Sequence, residues 1–266
     1  MMRIQRPNQR GFTLMELIAV MAIMAILSAV LAPSLIDAID DAYAAAETEN
    51  IATLADDLER HIRITGTLPG RSLAEWSAAI AGTSSTPLAD VQRNQRGYTR
   101  SVYFDPNFFV SGGSFNGYVQ TTGLAAAPFS PRFMLISSLR GNVGVLPNDA
   151  VQFDDIWNRA SGATLVESDS LKIERRNLRG LFHRLLLANQ NPAQVAFSLN
   201  GSGQLAVPAA TAGGDGLVSR YVLEGSEVAV YGTPFPTGGL LSATLVQGDI
   251  SLRYADDGGV FEWVTP

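Results

Sequence analysis

The chain of 266 residues has no cysteine, one lysine (Lys172) and two histidines, His61 and His183. Without cysteine there are no disulfides and no thiolate metal sites. With so few histidines a zinc site would need carboxylates to complete it, and no H-E-x-x-H occurs. The sequence also lacks a G-x-S-x-G turn, a P-loop and a dinucleotide fingerprint, so no set of catalytic roles assembles and the expectation is a non-enzyme. Positive charge is scarce. The net charge is −6, and Arg3, Arg6 and Arg10 crowd into the first ten residues; taking those three from 19 basic residues leaves 16 against 25 acidic ones. So acidic a body lacks the clustered positive charge that phosphate binding needs, and no nucleic-acid partner is expected. With 46% hydrophobic and 17% charged residues, the chain is neither a disordered polymer nor a multi-span membrane protein.

What is present is one long apolar run. Residues 12–36 read FTLMELIAVMAIMAILSAVLAPSLI, and Glu16 is the only charge among them. As a helix this run measures roughly 37 Å, enough for a bilayer core of about 30 Å. Arginines precede it and Asp37, Asp40 and Asp41 follow it, so the positive-inside rule places the first ten residues in the cytoplasm and the bulk outside. A carboxylate in lipid is costly and marks function. A secretory signal cut after Ala32, in Val30-Leu31-Ala32, would put Pro33 directly after the scissile bond, and the run exceeds an ordinary signal core. A plain anchor explains everything except Glu16. A third reading supposes a cut between Gly11 and Phe12. Phe12 then carries an α-amino group with a reference pKa of about 7.7–8, and Glu16 becomes the fifth residue, one helical turn away. That amine, or one from a neighbouring copy, offsets the carboxylate and sets the axial register of one helix against the next.

Gly11-Phe12-Thr13-Leu14-Met15-Glu16, with its basic leader, apolar length and Pro33, resembles the processing site of type IV pilins and type II secretion pseudopilins. The resemblance covers residues 1 to about 65. It implies cleavage after Gly11 by a prepilin peptidase, N-methylation of Phe12, an assembly-register role for Glu16 and a helix bend at Pro33. It further implies partners: other pilin or pseudopilin subunits and an inner-membrane assembly platform. The unprocessed chain would be a single-pass inner-membrane protein with a periplasmic head, later part of a periplasmic or extracellular filament. The family often has a glycine between the acid and the proline; here Ala22, Ala25, Ser28 and Ala29 stand in that stretch, and small residues still allow close helix contact. The rival from another class is an anchored periplasmic protein that binds a ligand through its head and does not polymerise.

The expected fold is α+β and pilin-like, a long N-terminal helix on an antiparallel sheet. Its parts are a leader (1–11), a transmembrane and assembly helix (12–36), an amphipathic stalk helix (37–65) and a globular head (66–266). Ile36, Ile39, Tyr43, Ile51, Leu54, Leu58 and Ile62 recur at helical steps, and Gly66 and Pro69 end the pattern. In the head the pattern predicts a helix over 73–81, strands over 100–104 and 132–139, and a second helix over 170–189 that carries His183 and a basic face of Arg175, Arg176, Arg179 and Arg184. The end of the chain reads as a β-meander over 217–223, 227–231, 240–246, 250–254 and 260–264. Residues 105–215 form an inserted region, within which 201–216 has the composition of a mobile loop. No cofactor is expected; Asp256 and Asp257, at a Gly-Gly turn, are the candidate calcium ligands, although calcium takes six to eight oxygens.

Overall fold

The computed structural model describes residues 13–110, 118–120, 130–144, 146, 149–257 and 260–265. The architecture is α+β: a long N-terminal helix, α1 (Leu14–Thr65), precedes three mainly antiparallel sheets. The chain divides at Ala46–Glu47 into two compact units.

In the first unit, α1 is built from Ala, Leu, Met and Ile, mostly good helix formers, with Pro33 inside it. Leu17, Met21, Met24, Leu27, Leu31 and Leu35 are all exposed, as are the other large apolar residues from Leu14 to Ile39. By length and composition this segment is apolar enough to cross a membrane.

The second unit starts within the same helix. Ile51, Leu54, Ala55, Leu58 and Ile62 are almost wholly buried at steps of three, one, three and four, a single helical face. The helix stops at Gly66, whose φ of 71° suits a left-handed cap and whose N–H donates to the Ile62 carbonyl at 2.8 Å. Helix α2 (Leu73–Thr83) opens on a capping box between Ser72 and Glu75, followed by α3 (Leu88–Gln92).

Strands β1 (Ser101–Phe104), β4 (Arg132–Ser138) and β5 (Leu171–Asn177) form the first sheet, in the order β1-β4-β5. Side-chain alternation divides it between two cores. Val102, Phe104, Phe133 and Leu135 join the buried face of α1 with Trp76, Ile80 and Val91. Tyr103, Met134, Ile136 and Ile173 pack on α4 (Ala150–Trp157) through Phe153 and Ile156.

The other two sheets form a sandwich. The six-stranded sheet runs β13-β12-β6-β9-β3-β2, comprising β2 (Phe108–Val110), β3 (Tyr118–Gln120), β6 (Phe182–Asn189), β9 (Gly216–Leu223), β12 (Ile250–Asp257) and β13 (Val260–Val264). The four-stranded sheet runs β11-β10-β7-β8, comprising β7 (Val195–Leu199), β8 (Leu205–Val207), β10 (Glu227–Tyr231) and β11 (Leu240–Leu245). Between them Leu185, Leu187, Val218 and Val222 of one sheet meet Phe197, Leu199, Val228 and Val230 of the other. On its opposite face the larger sheet contributes Phe182 and Tyr221 to the α1 core.

Four sequence expectations change. Residues 170–189 are not a helix but β5, a 3-10 turn (Leu178–Gly180) and β6. The leucines and arginines suit a helix, yet Asn177 accepts from Arg179 N–H at 2.9 Å to close the turn, and both flanking segments find full strand partners. The terminal strands are not one meander, since β10 and β11 belong to one sheet and β9, β12 and β13 to the other. The larger sheet is not wholly antiparallel: β12 pairs β6 in parallel, from Ile250–Leu185 to Tyr254–Asn189. Finally, 201–216 contains β8, whose Val207 is fully buried.

Candidate functional site

Helix α1 starts on Thr13-Leu14-Met15-Glu16, a T-x-x-E capping box. The Glu16 N–H donates to Thr13 Oγ1 at 3.2 Å, while the Thr13 N–H and hydroxyl both lie 3.4 Å from Glu16 Oε2. These are long contacts, at the weak end of hydrogen bonding. Their effect is to direct the carboxylate back towards the start of the chain, where the helix dipole also favours a negative charge. The partner is legible in the sequence as the residue three before the acid, a spacing that charge by itself does not mark.

Gly11 and Phe12 lie outside the described residues. Pro33 sits within continuous helix. It has no N–H to give to the carbonyl of Ala29, and the next residue, Ser34, donates its hydroxyl to the Leu31 carbonyl at 2.9 Å. The segment from Leu14 to Ile36 is therefore an apolar helix of roughly 35 Å with one carboxylate, confined to its first turn.

The part of α1 in the second unit is tied to the sheets by charge as well as by apolar packing. The side chains of Glu47 and Arg100 are only 1% and 3% exposed. Arg100 Nε donates to Glu47 Oε1 at 2.6 Å and Nη2 to Oε2 at 2.8 Å, a two-pronged pair. The remaining nitrogen, Nη1, donates to the carbonyls of Asp90, Val91 and Arg93. Further along, Arg176 reaches Asp56 at 2.6 Å, and His61 Nδ1 meets Thr83 Oγ1 at 3.0 Å. Thr83 spends its hydroxyl proton on the Ala79 carbonyl, so it accepts from His61 Nδ1–H. Burial pushes the His61 pKa below its ordinary value of 6.5. None of these partners was identified from sequence, because ion pairs distant in the chain leave no periodic signal.

The other sequence candidates belong to the second unit. His183 falls on β6, 3.9 Å from an Asp249 carboxylate oxygen. Arg175 and Arg176 are on β5 and Arg184 on β6, so they do not share a helical face. Asp256 and Asp257 are strand residues of β12, opposite Phe261 and Val260 of β13. Among the described residues no three His, Asp or Glu side chains gather in a way that could hold a metal ion.

The fold and the helix thus define an α+β protein with a membrane-length apolar helix at its N-terminus, opened by an acid. Residues 6–32 match the prokaryotic N-terminal methylation motif, and the chain carries the N-terminal signature of type IV pilins and pseudopilins. No curated protein and no solved structure matches the chain.

Proposed function

We propose that this chain is a prepilin-like subunit, a minor pilin or pseudopilin, assembled into a type IV pilus or a type II secretion pseudopilus. A single observation carries the reading: the methylation motif over 6–32 opens an exposed, membrane-length helix whose only charge, Glu16, sits in the first turn. Prepilin peptidase cuts after Gly11, and Phe12 is methylated. The shortened chain then begins one residue before the Thr13–Glu16 capping box, so the new amine and the carboxylate share the tip of the helix. In the inner membrane the helix is solvated by lipid, with the head on the periplasmic side. In the filament, contacts with neighbouring helices replace lipid, and the amine of one copy pairs with Glu16 of another to fix their axial offset. The work is mechanical, with no reaction catalysed.

Intact-mass analysis of protein extracted from membranes tests the processing. The expected chain starts at Phe12 and carries one extra methyl group. A chain starting at Met1, or cut after Ala32, overturns the reading and leaves an anchored, non-polymerising head. Glu16→Ala tests the register. Processing is expected to persist, and because a charge-assisted hydrogen bond is worth ~1.5–3 kcal/mol, incorporation into filaments should fall about tenfold or more. Unchanged incorporation would show that the acid does not set the offset.

A further inference from the structure

Most sheet edges described here are blunted. β5 carries Lys172, Glu174, Arg175 and Arg176; β8 is three residues long; β13 carries Glu262. Charge and shortness at an edge discourage another chain from adding a strand. β11 has no such protection. All six of its residues are exposed, and Leu240, Leu241 and Leu245 are 60%, 50% and 57% accessible. From Val228 to Gly248 there is not one charged residue, although Glu227 and Asp249 bracket the stretch and the whole chain is net acidic. Beside β11 the sandwich opens into a groove of about 450 Å³ whose lining includes Val228, Val230, Ser242, Thr244 and Trp263, with Asp249 as its one charged residue.

We propose that β11 is a docking strand for a second copy of this chain, pairing β11 with β11 antiparallel about a twofold axis. The register of β11 on β10 shows why a copy of itself fits. Ser242 and Thr244 lie opposite Val230 and Val228, on the groove side; Ala243 and Leu245 lie opposite Ala229 and Glu227, on the other. A register shift at Val230–Tyr231 puts Leu240 opposite Tyr231, so Leu240 and Leu241 together occupy the position before Ser242. A twofold axis normal to the sheet keeps each side chain on its own face, so a strand can pair with itself only about a residue. With Ala243 on the axis, Leu245 meets the Leu240–Leu241 corner of the other copy at both ends, and Ser242 meets Thr244 on the groove side. Apolar residues face apolar ones, hydroxyl faces hydroxyl, and the smallest side chain lies on the axis. The absence of charge lets two acidic bodies approach here at little electrostatic cost.

Six paired residues bury less than the roughly 1,200 Å² of a stable soluble interface. The pairing therefore depends on the raised effective concentration of copies held in one membrane. It rests on the anchoring part of the proposed function and not on polymerisation. The cysteine-free sequence supplies the test. In the full chain, Ala243→Cys places two thiols across the axis, where opposed Cα atoms of antiparallel strands are about 4.5–5.5 Å apart, within disulfide range. Mild oxidation of membranes is expected to give several-fold more reducible dimer than an exposed control, Ser161→Cys. Adding Leu241→Lys and Leu245→Lys should return the yield to the control level with the unfolding midpoint unchanged. Dimer equal to the control, dimer that survives both lysines, or a cross-link to a protein of another mass overturns the proposal. The same cross-link in a Glu16→Ala chain is expected undiminished; its loss would make the contact a by-product of filament packing and overturn β11 pairing as a property of the head. Chain recovered outside the membrane would reject anchoring, and the lysine comparison repeated in solution at high protein concentration would still decide the strand.

Discussion

Glu47 and Arg100 show how much a single pair of residues decides in this head. Each is buried, and each owes its place to the other. Removing one partner strands a charge among Val91, Ile51 and their neighbours in the core, which costs about 3–5 kcal/mol, whereas an apolar replacement of both costs far less. Glu47→Leu or Arg100→Met alone is therefore expected to lower stability by about that amount in chemical denaturation, and the double variant to recover part of it, since the carbonyls of Asp90, Val91 and Arg93 still lose Arg100. Equal losses for single and double variants would mean that the pair acts by packing alone. His61 gives a pH signature. Its pKa is lowered in the folded state, so the folded protein prefers the neutral ring. Its contribution is present in full above the unfolded value of about 6.5 and is lost as pH falls through the lower folded value. The melting temperature of the wild type should drop more steeply between pH 7 and pH 5 than that of His61→Gln. Parallel curves would assign the pH dependence to other groups. Neither feature was legible in the sequence, since Glu47 and Arg100 are 53 positions apart and each reads as an ordinary surface charge. Glu16 was legible for the opposite reason: a lone charge in an apolar run has to be explained.

Helix α1 was readable as an element because its buried face follows from local spacing. Ile51, Leu54, Leu58 and Ile62 recur every three or four residues, and Gly66 ends the helix where a positive φ is needed. Leu58 is fully buried at the centre of that face, so Leu58→Ala is expected to cost about 2–5 kcal/mol in unfolding free energy. A loss below ~1 kcal/mol, typical of a surface site, would mean that α1 is not integral to the core. Residues 170–189 were not readable in the same way. Leu185-Leu186-Leu187 is apolar in any conformation, so a short run of this kind fits a buried strand as well as a helix. Only the partners distinguish the two, and they lie far away in β4, β9 and β12. The turn at Asn200-Gly201 did leave a local signal. Both residues have positive φ, 50° and 68°, and Asn-Gly between apolar runs is a strong hairpin cue; the Gly- and Ala-rich stretch after it, with the composition of a loop, masks that cue.

At the scale of the molecule, the question is where the folding unit begins. The large apolar side chains from Leu14 to Ile39 are exposed and need lipid or other helices, whereas the second unit opens at Glu47 in mid-helix. Five core residues, Ile51, Leu54, Ala55, Leu58 and Ile62, lie before Gly66. The four larger ones are each worth about 1.5–3 kcal/mol on burial, a sum comparable to the whole stability of an ordinary domain, ~5–15 kcal/mol. The stalk is thus part of the core it supports, and Glu47 adds the only carboxylate that Arg100 contacts directly among the described residues. A truncated chain starting at Ala46 is expected to be soluble without detergent, because the lipid-type surface has been removed, and to melt in one cooperative step. A chain starting at Gly66 should lack that transition and aggregate, its sheets having lost the helix that covers Phe104, Phe133 and Tyr221. Thermal unfolding followed by circular dichroism separates the two. Should the Gly66 chain melt as cooperatively as the longer one, residues 47–65 would be an appendage to the sheets; should it fail, that part of the helix and the sheets it covers are one cooperative unit, and the fold of the second unit begins in mid-helix.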